Sequence, residues 1–190
     1  ITAVNDAPVV TAGGTLAYTE NAAATAIDTA VAVSDIDSTN LTGATVTISA
    51  NLTTGDVLGF TTQNGITGSY DSGTGVLTLT GTATVAQYQA ALRSVTYSST
   101  SDNPTAASAS RTVTWRVNDG TVNSANATST VTITAVNDAP TITSNGGAAS
   151  AAVGVSENAT AVTTVAGADL ENATLTYSIS GGADAARFSI

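Results

Sequence analysis

Short motifs rich in side-chain oxygens occur twice in this sequence, in the same order each time. Carboxylate, amide and carbonyl oxygens are the ligands that a hard cation such as Ca²⁺ takes, about six to eight at a time. In Asp35-Ile36-Asp37 two carboxylates lie just beyond a predicted strand, so a loop can turn both toward one point. These residue types therefore indicate cation binding. The paired motifs are Asn5-Asp6 and Asn137-Asp138, Glu20-Asn21 and Glu157-Asn158, and Asp35-Ile36-Asp37 and Asp169-Leu170-Glu171.

The overall charge agrees with a cationic partner. Four Arg and no Lys stand against fourteen acidic residues, which gives a formal net charge of -10. Such a surface disfavours nucleic acids and anionic membranes, because both carry negative charge themselves. We therefore predict no nucleic-acid binding and no membrane insertion, and Ca²⁺ as the cation.

The chain contains few of the residue types that commonly act in catalysis. The absence of His and Cys excludes the usual nucleophile triads, thiolate chemistry and His-based zinc sites, and the absence of Lys excludes Schiff bases. The sequence contains no Gly-rich phosphate-binding loop. The carboxylate pairs lie at predicted domain ends, whereas glycoside hydrolysis needs them to face a sugar-sized cleft. We predict that the chain is not an enzyme.

Composition also indicates a cellular compartment. A chain without Cys belongs either to a reducing cytoplasm or to a bacterial secreted protein that is stabilised by its sheets. The abundance of Thr, Ala, Ser, Val and Gly, with no Lys, His, Cys or Met, favours a secreted or cell-surface protein. No signal peptide or transmembrane run is visible. Since the chain begins on a repeated octapeptide, we expect a fragment, and the absence says little about targeting.

Period-two alternation of Thr, Val, Ile and Tyr with polar residues predicts short half-buried strands. In the strand around Trp115, the side chains of Val113, Trp115 and Val117 share one face, while Arg111 and Arg116 look outward or begin the strand. Gly- and Asp-rich turns separate the strands, and this spacing is typical of an all-β sandwich or barrel. The clearest predicted strands are Ala44–Ile48, Gly75–Leu79, Arg111–Val117 and Ser129–Ile133.

One segment has helical rather than strand periodicity. Between Thr84 and Arg93, the apolar residues Val85, Tyr88 and Leu92 recur at the spacing of one helix face. Thr84 and Gln87 are placed as a capping box at its start. We predict a short helix that covers the core and leads into a strand over residues 94–98.

The octapeptide Ile-Thr-Ala-Val-Asn-Asp-Ala-Pro stands at residues 1–8 and again at residues 133–140, which indicates a tandem array. The boundaries predicted from it are a junction linker at 1–8, a complete repeat at 9–134, a linker at 135–140, and the N-terminal part of a second repeat at 141–190. That second part has about three predicted strands, too few to enclose a core alone. Either further sequence or another chain would supply the rest.

The second copy resembles bacterial cadherin-like repeats in its Asn137-Asp138-Ala139-Pro140 linker, Glu157-Asn158, Asp169-Leu170-Glu171 and the segment from Leu175 to Ile190. The first copy is similar to the longer, proteoglycan-type cadherin-like repeats of giant bacterial surface and RTX-type adhesins. The resemblance implies Greek-key sandwiches of about seven strands, joined end to end, with Ca²⁺ held where neighbours meet. The residues that carry it in the first copy are Asp35-Ile36-Asp37, Tyr88–Leu92 and Val117-Asn118-Asp119-Gly120.

The same resemblance implies two sets of Ca²⁺ ligands. The linker differs from the cadherin pattern, since Ala135–Ala139 lacks its first Asp and last Asn, and the first repeat has no Asp-Arg-Glu-like triplet. We therefore predict one or two ions per junction rather than three, with a dissociation constant of about 10⁻⁴–10⁻³ M. The internal junction would use Glu20, Asn137, Asp138, Asp169 and Glu171, and the preceding junction Asn5, Asp6, Asp35, Asp37 and Asp119.

Each motif also has an ordinary interpretation when taken alone. Asp35 and Asp37 could be solvated turn residues, Asn137-Asp138 a turn before proline, and Asn118-Asp119-Gly120 a hairpin turn. Their joint recurrence favours metal binding.

The function predicted from these features is that of a Ca²⁺-stiffened extracellular spacer in a bacterial biofilm or cell-adhesion protein. Its partners would be neighbouring repeats of the same chain, with a host or cell-surface glycan or protein contacted by other parts of the parent. Two alternatives stay open. One is a self-assembling fibre or sheath subunit completed by strands of a neighbouring chain, and the other is a sandwich module that binds a glycan or protein.

Overall fold

Thr alternates with apolar residues along much of the chain, and this alternation produces strands with one face toward a core. The computed structural model describes residues 4–171 and 173–190. The chain divides into two compact units, Ile1–Val136 and Asn137–Ile190. The elements of the first unit are β1 Val9–Thr11, β2 Thr15–Thr19, β3 Thr25–Ala26, β4 Ala32–Ser34, β5 Asn40–Ala50, β6 Asp56–Gly59, β7 Thr67–Asp71, β8 Val76–Thr84, α1 Val85–Arg93, β9 Thr96–Ser99, β10 Ser110–Asn118 and β11 Ala127–Thr134.

The strands of the first unit form two packed layers. A six-stranded sheet has the order β2-β11-β10-β5-β8-β7, in which only β2 and β11 are parallel. A three-stranded sheet, β3-β9-β6, and the pair β1-β4 complete the unit. Val46 and Trp115 from the large sheet and Leu58 and Tyr97 from the smaller one belong to the same buried cluster. Neighbours far apart in sequence, such as β5 and β10, are hydrogen-bonded, so the all-β Greek-key sandwich is confirmed.

The predicted helix is confirmed as α1, and its start follows from the capping box. The Thr84 hydroxyl accepts a hydrogen bond from the Gln87 N–H, and the Thr84 N–H donates to the Gln87 side chain. Tyr88 and Leu92 are fully buried, and the Tyr88 hydroxyl donates to the Gly81 carbonyl at 2.6 Å. The helix therefore covers the core between β8 and β9.

The sequence placed Arg111 either outward or at the start of its strand, and the structure has it near the start of β10 with its side chain buried. Arg111 has the same parity along β10 as Val113, Trp115 and Val117, and all four are fully buried. Its Nε lies 2.7 Å from Oδ2 of Asp56 on β6. The alternation that identified the core face also applies to Arg111, but its carboxylate partner lies on a distant strand and could not be paired with it from the sequence.

A second buried carboxylate, that of Asp28, holds the start of β2 against β11. Its Oδ2 accepts hydrogen bonds from the N–H groups of Gly13 and Gly14 and from the Ser129 hydroxyl, and its Oδ1 accepts one from the Ala30 N–H. Burial raises the pKa of Asp28, but these four donors outweigh it and lower the pKa below its ordinary value. The ionised form is thus the one that the fold stabilises.

We expect Asp28→Asn to lower the free energy of unfolding by about 2 kcal/mol at pH 7, because its NH₂ group must face backbone donors. The folded-state pKa of Asp28 is depressed, so its stabilisation is present above the unfolded-state pKa and disappears as the pH falls through the folded-state value. Urea unfolding at pH 7 and near pH 3 measures how far the difference in unfolding free energy between the parent and Asp28→Asn decreases at low pH. Asp102→Asn, in an exposed turn, is the control. Equal stability of Asp28→Asn and the parent at pH 7 would contradict the prediction.

The second unit has little regular structure in its described residues, 137–171 and 173–190. β12, Thr141–Ile142, pairs antiparallel with β13, Gly167–Ala168. Short 3₁₀ turns occupy Ser144–Gly147 and Ala185–Arg187. None of the described residues in this unit is buried. Residues 175–179, which align with part of β5, form no strand, although the side chains of Leu175 and Tyr177 lie beside Gly167 of β13.

Candidate metal centre

Five predicted ligands of the first unit are joined into one chain of hydrogen bonds. The Asn5 side-chain amide donates to Asp119 Oδ2 at 2.8 Å and to the Asp6 carbonyl at 3.0 Å. The Asp6 N–H donates to Asp37 Oδ2 at 3.0 Å, and the Asp37 N–H donates to Asp35 Oδ1 at 3.1 Å. The fold thus connects the residues before β1 with the turns that follow β4 and β10.

The second unit repeats this pattern with the corresponding residues. The Asn137 amide donates to the Asp138 carbonyl at 2.8 Å, and the Asp138 N–H donates to Glu171 Oε2 at 3.0 Å. The Glu171 N–H then donates to Asp169 Oδ1 at 3.1 Å. The longer side chain of Glu171 takes the place that Asp37 has in the first unit. Two copies of one motif therefore produce one local geometry, as expected if the motif has the same role in each.

Asp119 lies in the turn after β10, which the sequence predicted as a hairpin turn. Its Oδ1 accepts hydrogen bonds from the Thr121 and Val122 N–H groups at 2.6 and 2.8 Å. The Asn5 amide, followed by the N–H groups of Val122 and Thr121, lowers the pKa of Asp119 below its ordinary value. The hairpin and ligand interpretations are compatible, because the turn fixes a carboxylate that the Asn5 amide also contacts.

Glu20 lies in a turn at the end of β2, where Asn21 has a φ of 62°, a conformation that Asn tolerates. The Glu20 side chain is only 3% exposed, and its Oε2 accepts a hydrogen bond from the Val136 N–H at 2.7 Å. Asn158 in the second unit has a φ of 63° in the matching turn, but Glu157 before it is exposed. The two copies therefore share the turn and differ in the burial of the glutamate.

Several buried carboxylate oxygens of this set lack a hydrogen-bond donor. Within residues 4–171 and 173–190, Glu20 Oε1, Asp35 Oδ2 and Glu171 Oε1 are buried and accept no hydrogen bond. The ion pairs in the described part are Arg111 with Asp56 and Arg187 with Asp184, so no arginine compensates these three groups. Buried carboxylates normally find donors, a cation or a metal. The three oxygens are therefore suited to accept a cation.

Buried carboxylates outside the predicted site accept several hydrogen bonds each. Asp28 accepts four hydrogen bonds. Asp56 accepts from Arg111, the Tyr97 hydroxyl and Thr53. The sequence assigned neither residue a role, and no local pattern marks them, because their donors come from distant strands. Incomplete hydrogen bonding thus distinguishes the predicted ligands Glu20, Asp35 and Glu171 from the buried Asp28 and Asp56.

The geometry still stops short of a formed cation site. Across the part of the chain that the structure describes, no group of three or more acidic side chains is close enough to hold a metal ion. In Asp35, Glu171 and Glu20 one carboxylate oxygen accepts a hydrogen bond from a backbone N–H, which leaves the other oxygen as a single metal ligand held in place. The arrangement offers oriented oxygen ligands, and binding would require them to converge.

Comparisons with known proteins complete the description. None of the helices in residues 4–171 and 173–190 has the length and apolarity needed to cross a bilayer. No protein-family model matches this sequence, and no curated protein matches it. Among solved structures, the chain is similar to a type I cohesin–dockerin complex from Clostridium thermocellum, with 7% sequence identity and a TM-score of 0.39 over 70% of this chain and 99% of that chain. A likeness this distant leaves the function to be argued from the chain's own side chains.

Proposed function

We propose that this chain is an extracellular structural repeat of a bacterial surface adhesin, a spacer that Ca²⁺ stiffens and that holds an adhesive region away from the cell. The observation that carries the proposal is the set of buried, donor-free carboxylate oxygens on Glu20, Asp35 and Glu171. All three belong to the motifs that repeat around the linkers. The net charge of -10 and the sequence resemblance to cadherin-like repeats support the same function.

The proposal assigns an oxygen-rich ligand set to each junction, with one or two ions in each. Carboxylates suit Ca²⁺ because it is a hard cation with flexible coordination geometry. The backbone N–H groups of Val136, Asp6 and Asp138 orient the carboxylates of Glu20, Asp37 and Glu171. The internal set is Glu20, Asn137, Asp138, Asp169 and Glu171, and the preceding set is Asn5, Asp6, Asp35, Asp37 and Asp119.

Stiffening follows from electrostatics and from entropy. Without a cation the carboxylates assigned to one junction repel one another when they approach, and the short linker leaves the joint free to bend. An ion that binds residues of both repeats neutralises the repulsion and removes that freedom. Because the ion binds the folded repeats, it also stabilises them by mass action. In chelator we expect the first unit to stay folded while the joint becomes mobile.

The test is a Ca²⁺ titration by calorimetry, combined with small-angle scattering in Ca²⁺ and in chelator. We expect a dissociation constant of about 10⁻⁴–10⁻³ M and a longer, stiffer particle in Ca²⁺. Asp138→Ala should weaken both effects, whereas Asp184→Ala, an exposed change in the same unit, should leave them intact. An absence of heat together with an unchanged scattering profile would overturn the proposal.

Self-assembly is a second candidate, favoured by the second unit. Its described residues expose large apolar side chains, among them Val155, Leu170 and Phe188. Strands from a neighbouring chain could cover these side chains in a fibre or sheath. Scattering measured over a concentration series distinguishes the candidates, since a spacer keeps a constant mass and a self-assembling subunit gains mass with concentration.

A further inference from the structure

The solvent-facing side of the six-stranded sheet contains a shallow depression of about 190 Å³. Cross-strand register places Arg116 of β10, Thr45 of β5 and Thr78 of β8 in one row on this face. The next row contains Asn118, Gly43 and Thr80. Gly43, which has no side chain, therefore lies between the side chains of Asn118 and Thr80. We call the concavity bounded by these six residues the Gly43 depression.

No side chain occupies the space directly above Gly43. A Cβ atom built on Gly43 would have the Leu79 carbonyl oxygen at 3.4 Å as its nearest neighbour, so no other group fills the space above it. The register of β5 against β8 shifts between Leu41 and Gly43, an irregularity of the kind that bends a strand. The depression is thus a consequence of a glycine beside a bulge in the middle of a sheet.

An unpaired cation stands at the edge of this depression. Arg116 is exposed, and among the described residues it has no hydrogen bond and no ion pair. The other arginines are engaged: Arg111 pairs with Asp56, Arg93 donates to the Val31 carbonyl, and Arg187 pairs with Asp184. Among the four arginines, Arg116 is therefore the one whose guanidinium is left to bind an anionic ligand. Its planar fork matches a carboxylate in a bidentate pair.

The remaining polar groups favour a small hydroxylated ligand over a peptide. Thr45 is half-buried and Thr78 is exposed in the same row as Arg116, and a threonine hydroxyl can both donate and accept a hydrogen bond. β5 is paired with β8 on one side and β10 on the other, so an extended peptide cannot add to the sheet here. The volume is below the roughly 300–1,000 Å³ of sites that enclose drug-sized ligands, which suits a single sugar ring.

We propose that the Gly43 depression binds a carboxylate-bearing sugar, a uronic acid, with the Arg116 guanidinium on the carboxylate and the Thr45 and Thr78 hydroxyls on ring hydroxyls. This site would give the repeat a weak contact with a single uronic acid residue of a glycan, in addition to any spacer role. It uses none of the proposed Ca²⁺ ligands, so the two proposals are independent.

The test is an NMR titration of the ¹⁵N-labelled 190-residue chain with galacturonic acid, in chelator so that Ca²⁺ plays no part. We expect saturable shifts of the Arg116 Nε–H and of the Thr45 and Thr78 amides. Glucose, which lacks the carboxylate, should bind about tenfold more weakly, because a hydrogen bond to a charged group contributes strongly to binding. Triglutamate has carboxylates but no ring hydroxyls for Thr45 and Thr78, and it should also bind about tenfold more weakly.

Two variants test the residues. Arg116→Gln removes the charge, and Gly43→Val fills the depression with a side chain that suits a strand. Each should weaken galacturonic acid binding about tenfold or more. Arg187→Gln makes the same charge change on an exposed arginine of the second unit and should bind as the parent does. No saturable shift, unchanged binding by Arg116→Gln, or equal binding of glucose or triglutamate would overturn the proposal.

Discussion

Replacing Arg111 with methionine should lower the free energy of unfolding by about 3–5 kcal/mol. The methionine fits the apolar surroundings of β10, so the loss does not come from packing alone. It comes from Asp56, which is only 2% exposed and would lose the cation that compensates its burial. Removing one partner of a buried ion pair lowers the free energy of unfolding by more than the intact pair contributes to it.

The contacts of Arg111 show why other donors cannot compensate. Its Nε and one terminal nitrogen donate to Asp56, at 2.7 and 3.4 Å. The same side chain donates to the Pro104 and Ser108 carbonyls, both at 2.7 Å. These bonds hold the loop before β10 against β6. Loss of the guanidinium therefore leaves the Asp56 carboxylate without its cation, with only the neutral donors Thr53 and Tyr97, and removes these hydrogen bonds from two carbonyls at once.

Urea unfolding of Arg111→Met, with Arg116→Met on the exposed face of the same strand as control, measures the effect. We expect Arg116→Met to change the unfolding free energy by no more than about 0.5 kcal/mol. The double variant Asp56→Asn, Arg111→Met should be more stable than Arg111→Met alone, because the uncompensated charge is then gone. If Arg111→Met proved as stable as the parent, the ion pair would not be a stabilising element of the fold.

The pair also marks the limit of what the sequence could predict. Alternation along β10 and the capping box at Thr84 are local patterns, and both were sufficient to place an element and its buried face. The partnership of Arg111 with Asp56 joins residues 55 positions apart, and that of Asp28 with Ser129 joins residues 101 apart. Nothing local selects one acidic residue over another as the partner of a buried arginine.

The candidate site was predictable to a different degree. Repetition of Asn-Asp and of the two-carboxylate motif identified residues that the structure joins by hydrogen bonds in each unit. Their backbone donors could not be foreseen, because they depend on how the residues before β1 and β12 lie against later turns. The burial of Glu20 was equally hidden, since Glu157 follows the same turn pattern and is exposed. The repeated motifs identified the residue types of the predicted ligands, and tertiary packing determines which of these residues are buried.

Glu20→Gln should reverse its effect on stability between chelator and Ca²⁺. In chelator the parent buries a carboxylate with one oxygen unpaired, and glutamine removes that charge while its carbonyl still accepts the Val136 N–H. The variant should therefore be more stable than the parent by about 1 kcal/mol. With Ca²⁺ at about 100 times its dissociation constant, the parent should gain about 2.7 kcal/mol and the variant much less. The order of stability then inverts.

Urea unfolding of parent and variant in both conditions measures the inversion, with Glu157→Gln, the exposed counterpart in the second unit, as control. Glu157→Gln should follow the parent in chelator and in Ca²⁺ alike. An equal gain from Ca²⁺ in Glu20→Gln and the parent would remove Glu20 from the ligand set while leaving the other carboxylates to be considered. A loss of stability in chelator would instead mean that the buried carboxylate stabilises the fold without a metal. Only the inversion would show that the buried Glu20 carboxylate binds a cation, because the contribution of a purely structural glutamate to stability does not depend on Ca²⁺.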